Sequence, residues 1–162
     1  MAQTGIERNP AGMSAHQIRT EEFMKQGGQV PPSRATMPDE DTRELRARLI
    51  MEEALETIQA LGCTLCVRGE EAFNFKTDVR IRSEHPPDFE GIVDGCADLM
   101  VVTTGTLSMC GVDDMPVLRE VDRSNLTKFR DGWHRREDGK IVKSPFYSPA
   151  KYAAVEAFKA AT

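Results

Sequence analysis

The sequence predicts an all-α fold, a helical bundle with a short β insert near residues 71–82, in one domain spanning residues 1–162. Two long stretches carry that prediction. Between Arg43 and Leu61 the apolar positions Leu45, Leu49, Ala54, Leu55, Ile58 and Leu61 recur near the helical period, so one side of a helix is expected to be buried. Between Phe89 and Met109, Ile92, Val93, Leu99, Met100, Val101 and Leu107 make a segment apolar on most sides, expected to be the most buried helix. A third observation is that strand-like alternation is confined to Phe73, Phe75, Val79 and Ile81, with no sheet partner evident elsewhere in the chain.

Taken in order, Met1 to Ala11 have little periodicity and are expected to fray or to pack late. Ser14 can cap a short helix running to Lys25, with Ile18 and Phe23 supplying apolar contacts and Gly27-Gly28 ending it. Pro31, Pro32 and Pro38 impose an extended connection. Asp39 or Asp41 then caps the long acidic helix, which Gly62 stops. Cys63 to Pro87 is weakly periodic and holds the strand or hairpin arm. Asp88 caps the apolar helix. After a turn at Gly111 to Met115, Asp113 or Asp114 caps a helix from Met115 to Phe129, with Pro116 in its first turn and Leu118, Val121, Leu126 and Phe129 on its packing side. Asp131-Gly132 and Asp138-Gly139 are turn signals around Trp133 and Arg135-Arg136. Lys140, Lys143, Ser144 and Tyr147 follow within eight residues, and a helix from Lys151 to Ala161 finishes the chain.

Composition excludes several classes. A net charge of -5 and a pI near 5.3 argue against a nucleic-acid polymer as partner, while permitting a local basic pocket. Cys63 and Cys66 form a C-x-x-C, but Cys96 and Cys110 are too widely spaced to complete a zinc site; buried, reduced thiols are expected. No signal-peptide pattern opens the chain, and no apolar run is expected to reach the roughly 20 residues of a bilayer span. A soluble cytoplasmic protein is the expectation. The chain has no Walker G-x-x-x-x-G-K-[ST], and it lacks the E-x-x-H pairs of a di-iron bundle.

The acids are the chemical signal. Glu56 lies three residues after Glu53 and four after Glu52, so it shares a helix face with both; Asp94 and Asp98 repeat a four-residue spacing on the apolar helix. Carboxylates meeting between two helices repel unless a hard cation neutralises them, and an all-oxygen donor set suits magnesium or manganese. The expected chemistry is attack of an activated water on a polyphosphate, with one remaining carboxylate as general base. Asn125 and Lys128, three apart, can point at one site, and lysines there would neutralise phosphate charge. Each signal has a plainer counterpart. Acid-rich helix faces are commonly just solvated, lysine-rich turns solubilise, and Trp133 either stacks a base or seals a core edge.

Four stretches, F-M-K-Q-G-G-Q-V-P (Phe23–Pro31), R-L-I-M-E-E-A-L-E (Arg48–Glu56), V-D-G-C-A-D-L-M-V-V (Val93–Val102) and S-N-L-T-K-F with D-G-K-I-V-K-S-P-F-Y (Ser124–Phe129, Asp138–Tyr147), together resemble the all-α nucleoside triphosphate pyrophosphohydrolases, the MazG-like and phosphoribosyl-ATP pyrophosphohydrolase-like proteins. The resemblance implies a magnesium-dependent cut between the α and β phosphates of a nucleotide, releasing pyrophosphate. It makes Glu53 and Glu56 the E-x-x-E ligands, Asp98 the acid of the second helix, and Glu52 an added ligand or base. The family's second motif is commonly E-x-x-D; here Gly95 stands three before Asp98 and Asp94 four before it. Asn125, Lys128, Lys140, Lys143 and Tyr147 become phosphate or sugar contacts, and a homodimer, or a tetramer of paired dimers, is implied. Set beside hydrolysis of an ordinary nucleoside triphosphate are two alternatives: a non-catalytic nucleotide-binding or interaction protein on the same fold, and a phosphoribosyl-ATP pyrophosphohydrolase.

Overall fold

The computed structural model describes residues 8–67, 79–137 and 139–162, and these form two compact units. One contains the residues up to Met37 together with Leu107–Thr162; the other is Pro38–Thr106. Among the described residues the elements in order are a 3-10 turn (Pro10–Gly12), α1 (Ala15–Gln26), α2 (Glu40–Ala60), β1 (Cys63–Val67), β2 (Val79–Ser83), α3 (Phe89–Met109), α4 (Asp114–Thr127), β3 (His134–Arg135), β4 (Ile141–Val142) and α5 (Ala153–Ala161). The chain is predominantly helical with a small β hairpin inserted, as its periodicity predicts.

In the unit from Pro38 to Thr106, Asp39 caps α2 by accepting from the Thr42 amide at 2.8 Å. Gly62 ends α2 with a positive φ of 75°, and a Cβ there would overlap the His85 carbonyl. The Gly62 carbonyl accepts from Glu84 (2.8 Å) and His85 (3.0 Å), and the Ala60 carbonyl from the Asp88 amide (2.7 Å). These bonds bring the hairpin back to where it left, so α3 starts beside the end of α2. The expected absence of a sheet partner is corrected: β2 pairs antiparallel with β1, Cys63 opposite Ser83 and Val67 opposite Val79. β1 escaped sequence reading because C-T-L-C-V is part-buried along most of its length and does not alternate. Phe73 and Phe75 lie outside the described residues.

The helices α2 and α3 run antiparallel, which follows from two close contacts. A Cβ on Gly95 would overlap the Thr57 hydroxyl and stand 3.2 Å from the Thr57 Cα, while one on Gly91 would stand 3.1 Å from the Ala60 Cβ. As the chain advances along α2 from 57 to 60 it retreats along α3 from 95 to 91. Thr57 donates its hydroxyl back to the Glu53 carbonyl (2.7 Å), and only a glycine at 95 leaves room for it.

α3 has the largest share of buried and half-buried residues among the helices, but it is not buried on most of its sides. Gly95, Val102 and Gly105 are buried, but Val93 and Met100 are exposed, and only 28% of its most apolar stretch is buried. The expectation on span length is corrected as well: its 21 residues, with a mean hydropathy of 1.2 in that stretch, suffice by length and composition to cross a membrane. Core helices of soluble proteins meet the same criterion, and Glu90, Asp94 and Asp98 all lie in its first half. Other expected packing residues are exposed too, among them Leu45 on α2 and Leu61 just after it, Ile18 and Phe23 on α1, and Leu118 and Leu126 on α4. The cysteines are free but not buried; Cys96 is exposed and the other three intermediate.

In the other unit the described end of the opening segment, from Arg8 on, is anchored, while residues 1–7 lie outside the described residues. Arg8 pairs with Glu21 and, at 2.9 Å, with Asp113, while Asp113 also accepts from the Asn9 amide at 3.0 Å. These partners are remote in sequence, so no local period announces them. They also occupy the Asp113 carboxylate, which therefore makes no side-chain cap for α4 although it stands at the cap position. Ser14 caps α1 as expected, accepting from the Gln17 amide at 3.0 Å.

A strap from Ser144 to Lys151 is fastened along α4. Ser148 donates to the Thr127 hydroxyl (2.9 Å), Arg123 reaches the Pro149 carbonyl (3.1 Å), and the Lys151 amide donates to Glu120 (2.8 Å). Hydrogen bonds from Arg123, and then from that amide, hold the Glu120 carboxyl down at about 2. A depressed acid stabilises the fold above its ordinary pKa, and the contribution disappears as pH falls through the native value. Fastening of the strap is thus expected to weaken below about pH 4.5. Amide exchange in residues 153–161, compared between pH 6 and 3 in wild type and Glu120→Gln, checks this; an equal pH response in both would contradict it.

Candidate metal and nucleotide sites

Glu52, Glu53 and Glu56 lie within two turns of α2, and Asp94 and Asp98 on the first half of α3. Because the helices are antiparallel and meet at Thr57 and Gly95, one turn back along α2 reaches Glu53 while one turn forward along α3 reaches Asp98 or Leu99. Glu53 and Asp98 are therefore at the same level. The electrostatics agree. Burial pushes the Glu53 carboxyl above its usual range, and repulsion from Asp98, Glu56, Glu52 and Asp94, in that order, pushes it further. Four acids, two on each helix, thus act on Glu53. Among the described residues, no three His, Cys, Asp or Glu side chains are closed around an ion-sized point. Like-charged carboxylates splay unless something neutralises them, and the raised affinity of Glu53 for a proton marks an environment that favours added positive charge. Their all-oxygen chemistry fits a hard divalent ion.

Gly95 also accounts for the departure from E-x-x-D. At that position a side chain of any size meets Thr57, so a glutamate would force the helices apart. Asp94, one residue earlier and exposed, avoids the contact and still acts on Glu53.

The second cluster belongs to the other unit. Lys128 donates to the Asn125 side chain at 2.7 Å, and the Lys143 ammonium sits 4.1 Å from the centroid of the Tyr147 ring. The Tyr147 phenol is held below its usual range, chiefly by its hydrogen bond with Ser124 and further by the Lys143 and Lys128 ammoniums. So Asn125, Lys128, Lys143 and Tyr147 form one group. Lys140 is on the β3–β4 hairpin, where its carbonyl accepts from Arg136 at 2.9 Å. Ser144, unassigned from sequence, is the buried organiser: its amide donates to the Lys128 carbonyl (3.0 Å) and its hydroxyl to that of Asp131 (2.8 Å). Its place between Pro145 and the lysines was the available signal. The hairpin itself was missed because two-residue strands carry no alternation.

The chain is predominantly helical, and acids of two antiparallel helices act on Glu53. Residues 20–125 match the family model described as phosphoribosyl-ATP pyrophosphohydrolase, and with about two thirds of its length covered the chain belongs to that family. It is thereby a hydrolase of a divalent-cation-dependent kind. No curated protein matches it. The matched region takes in both acidic helices and Asn125 and stops before Lys128.

Proposed function

We propose that residues 1–162 work as a single cytoplasmic domain that cuts between the α and β phosphates of a nucleotide, releasing pyrophosphate. Magnesium, with manganese as a substitute, is assigned to Glu53, Glu56 and Asp98, with Asp94 and Glu52 as further ligands. Such an ion, when bound, supplies charge neutralisation for the polyphosphate and lowers the pKa of a coordinated water. Glu52 or Glu53 then holds the proton that a nucleophilic water gives up, a task suited to the raised Glu53 carboxyl. Asn125, Lys128, Lys140, Lys143 and Tyr147 are assigned to the phosphates or sugar. The observation that carries the reading is that four acids on two helices act on Glu53 inside the family-matched region.

The family match favours phosphoribosyl-ATP as substrate over ordinary nucleoside triphosphates. The second reading, an ordinary triphosphate, rests on the end of that match at residue 125, which leaves the lysine segment outside it. Pyrophosphate release from phosphoribosyl-ATP and a panel of ribo- and deoxynucleoside triphosphates, with magnesium or manganese, separates them. Folded protein that turns over none of these would overturn the proposal. The exposed apolar residues of α2 and α3 support a homodimer, or a tetramer of paired dimers, as the working assembly; sedimentation at monomer mass would exclude it.

A further inference from the structure

Leu126, Phe129, Trp133 and Phe146 all stand exposed in the segment that carries Lys128 and Lys143, and the assigned chemistry does not use them. Phe129 and Trp133 pack edge to face, ring centroids 5.1 Å apart, yet Trp133 remains 43% exposed and so does not seal a core. An indole fixed by a neighbouring ring, with surface left over, is a stacking platform: little freedom remains to be lost when a flat ligand settles on it.

The platform and the lysines belong to one surface. Ser144 ties residue 143 to the Lys128 carbonyl and to Asp131, and a Cβ on Gly132 would stand 3.0 Å from the Pro145 ring. The Trp133 amide donates to the Arg130 carbonyl at 3.3 Å, which closes the turn bearing the indole. From Lys128 to Lys143 the sequence holds six cations against three acids, in a chain whose net charge is -5. Locally positive, with exposed aromatic rings, the surface fits a ligand that is anionic at one end and flat at the other.

We propose that this surface binds a nucleotide, its base stacked on Trp133 and its phosphate held by Lys128 and Lys143, and that it favours purines for their larger ring area. The inference rests on the pyrophosphohydrolase reading for its biological use, but its test does not. Trp133 is the sole tryptophan of the chain, so its fluorescence reports the platform directly.

Titrating the full chain with adenosine 5′-monophosphate, uridine 5′-monophosphate and inorganic pyrophosphate is expected to give saturable quenching by the first, weaker binding of the second by about fivefold or more, and little quenching by the third. Lys143→Ala should raise the dissociation constant for adenosine monophosphate about tenfold. In turnover assays Trp133→Ala should raise KM about tenfold, as loss of one base–aromatic stack implies, and more than it lowers kcat, with Trp133→Phe restoring most of the loss. Quenching without turnover would remove the hydrolase reading and leave the platform standing. Turnover with no fluorescence change and an unaltered KM in Trp133→Ala would overturn the platform, as would quenching by a single-stranded oligonucleotide but not by either monophosphate.

Discussion

Glu53→Gln is expected to lower kcat/KM for pyrophosphate release about a thousandfold while leaving the fold intact or slightly more stable. The two effects have opposite signs for one reason. The ion assigned to this site contributes several kcal/mol of charge stabilisation in the transition state, and each ~1.4 kcal/mol is a factor of ten in rate. Without the ion, the same carboxylate is pushed above its usual range by desolvation and then by repulsion from Asp98, Glu56, Glu52 and Asp94. Removing its charge relieves both, so metal-free Glu53→Gln should melt no lower than wild type. A purely structural acidic face would give near-normal turnover, and a variant that loses activity because it unfolds would melt lower. Paired thermal melts and initial rates distinguish the three cases.

Gln17→Leu is expected to cost about 3–6 kcal/mol, a large part of the 5–15 kcal/mol that holds a typical domain folded. Gln17 is fully buried and joins three segments of its unit. Its amide nitrogen donates to the Ser108 hydroxyl (3.0 Å) and the Val112 carbonyl (2.9 Å), and its side-chain oxygen accepts from the Asp114 amide (2.9 Å). Leucine fills much of the same volume and satisfies none of these groups, and each polar group left buried and unpaired costs about 1–3 kcal/mol. Chemical denaturation of both proteins measures the difference. A loss below about 1 kcal/mol would mean that the three groups find other partners.

What could be read from sequence was what local chemistry determines. The helix from Phe89 to Met109 and the caps at Ser14, Asp39 and Asp88 depend on period and on side chains a few residues away, and the structure has them where expected. What could not be read depends on remote partners. S-x-x-Q at Ser14 and Gln17 has the form of a capping box, which would send the Gln17 side chain back to the Ser14 amide. In the structure the Asp114 carboxylate takes that amide at 2.8 Å, and Gln17 turns inward to Ser108 instead. Arg8 is the same case, an ordinary residue in an aperiodic stretch whose place is decided by Glu21 and Asp113. For the acids, spacing on each helix was legible, but the level at which the helices meet is set by Gly95 and Thr57, two residues without chemical signature. Apolar period overstated burial, since Val93, Met100 and Leu45 present apolar surface to solvent in the single chain.

The central claim is that carboxylates of α2 and α3 together hold one divalent cation site. Calorimetric titration of manganese or magnesium into the full chain, with wild type, Glu53→Gln and Asp98→Asn side by side, tests it most directly. Saturable binding in wild type, weakened tenfold or more by either substitution, is the predicted result. Identical isotherms for all three proteins, or no heat of binding at millimolar metal, would contradict it.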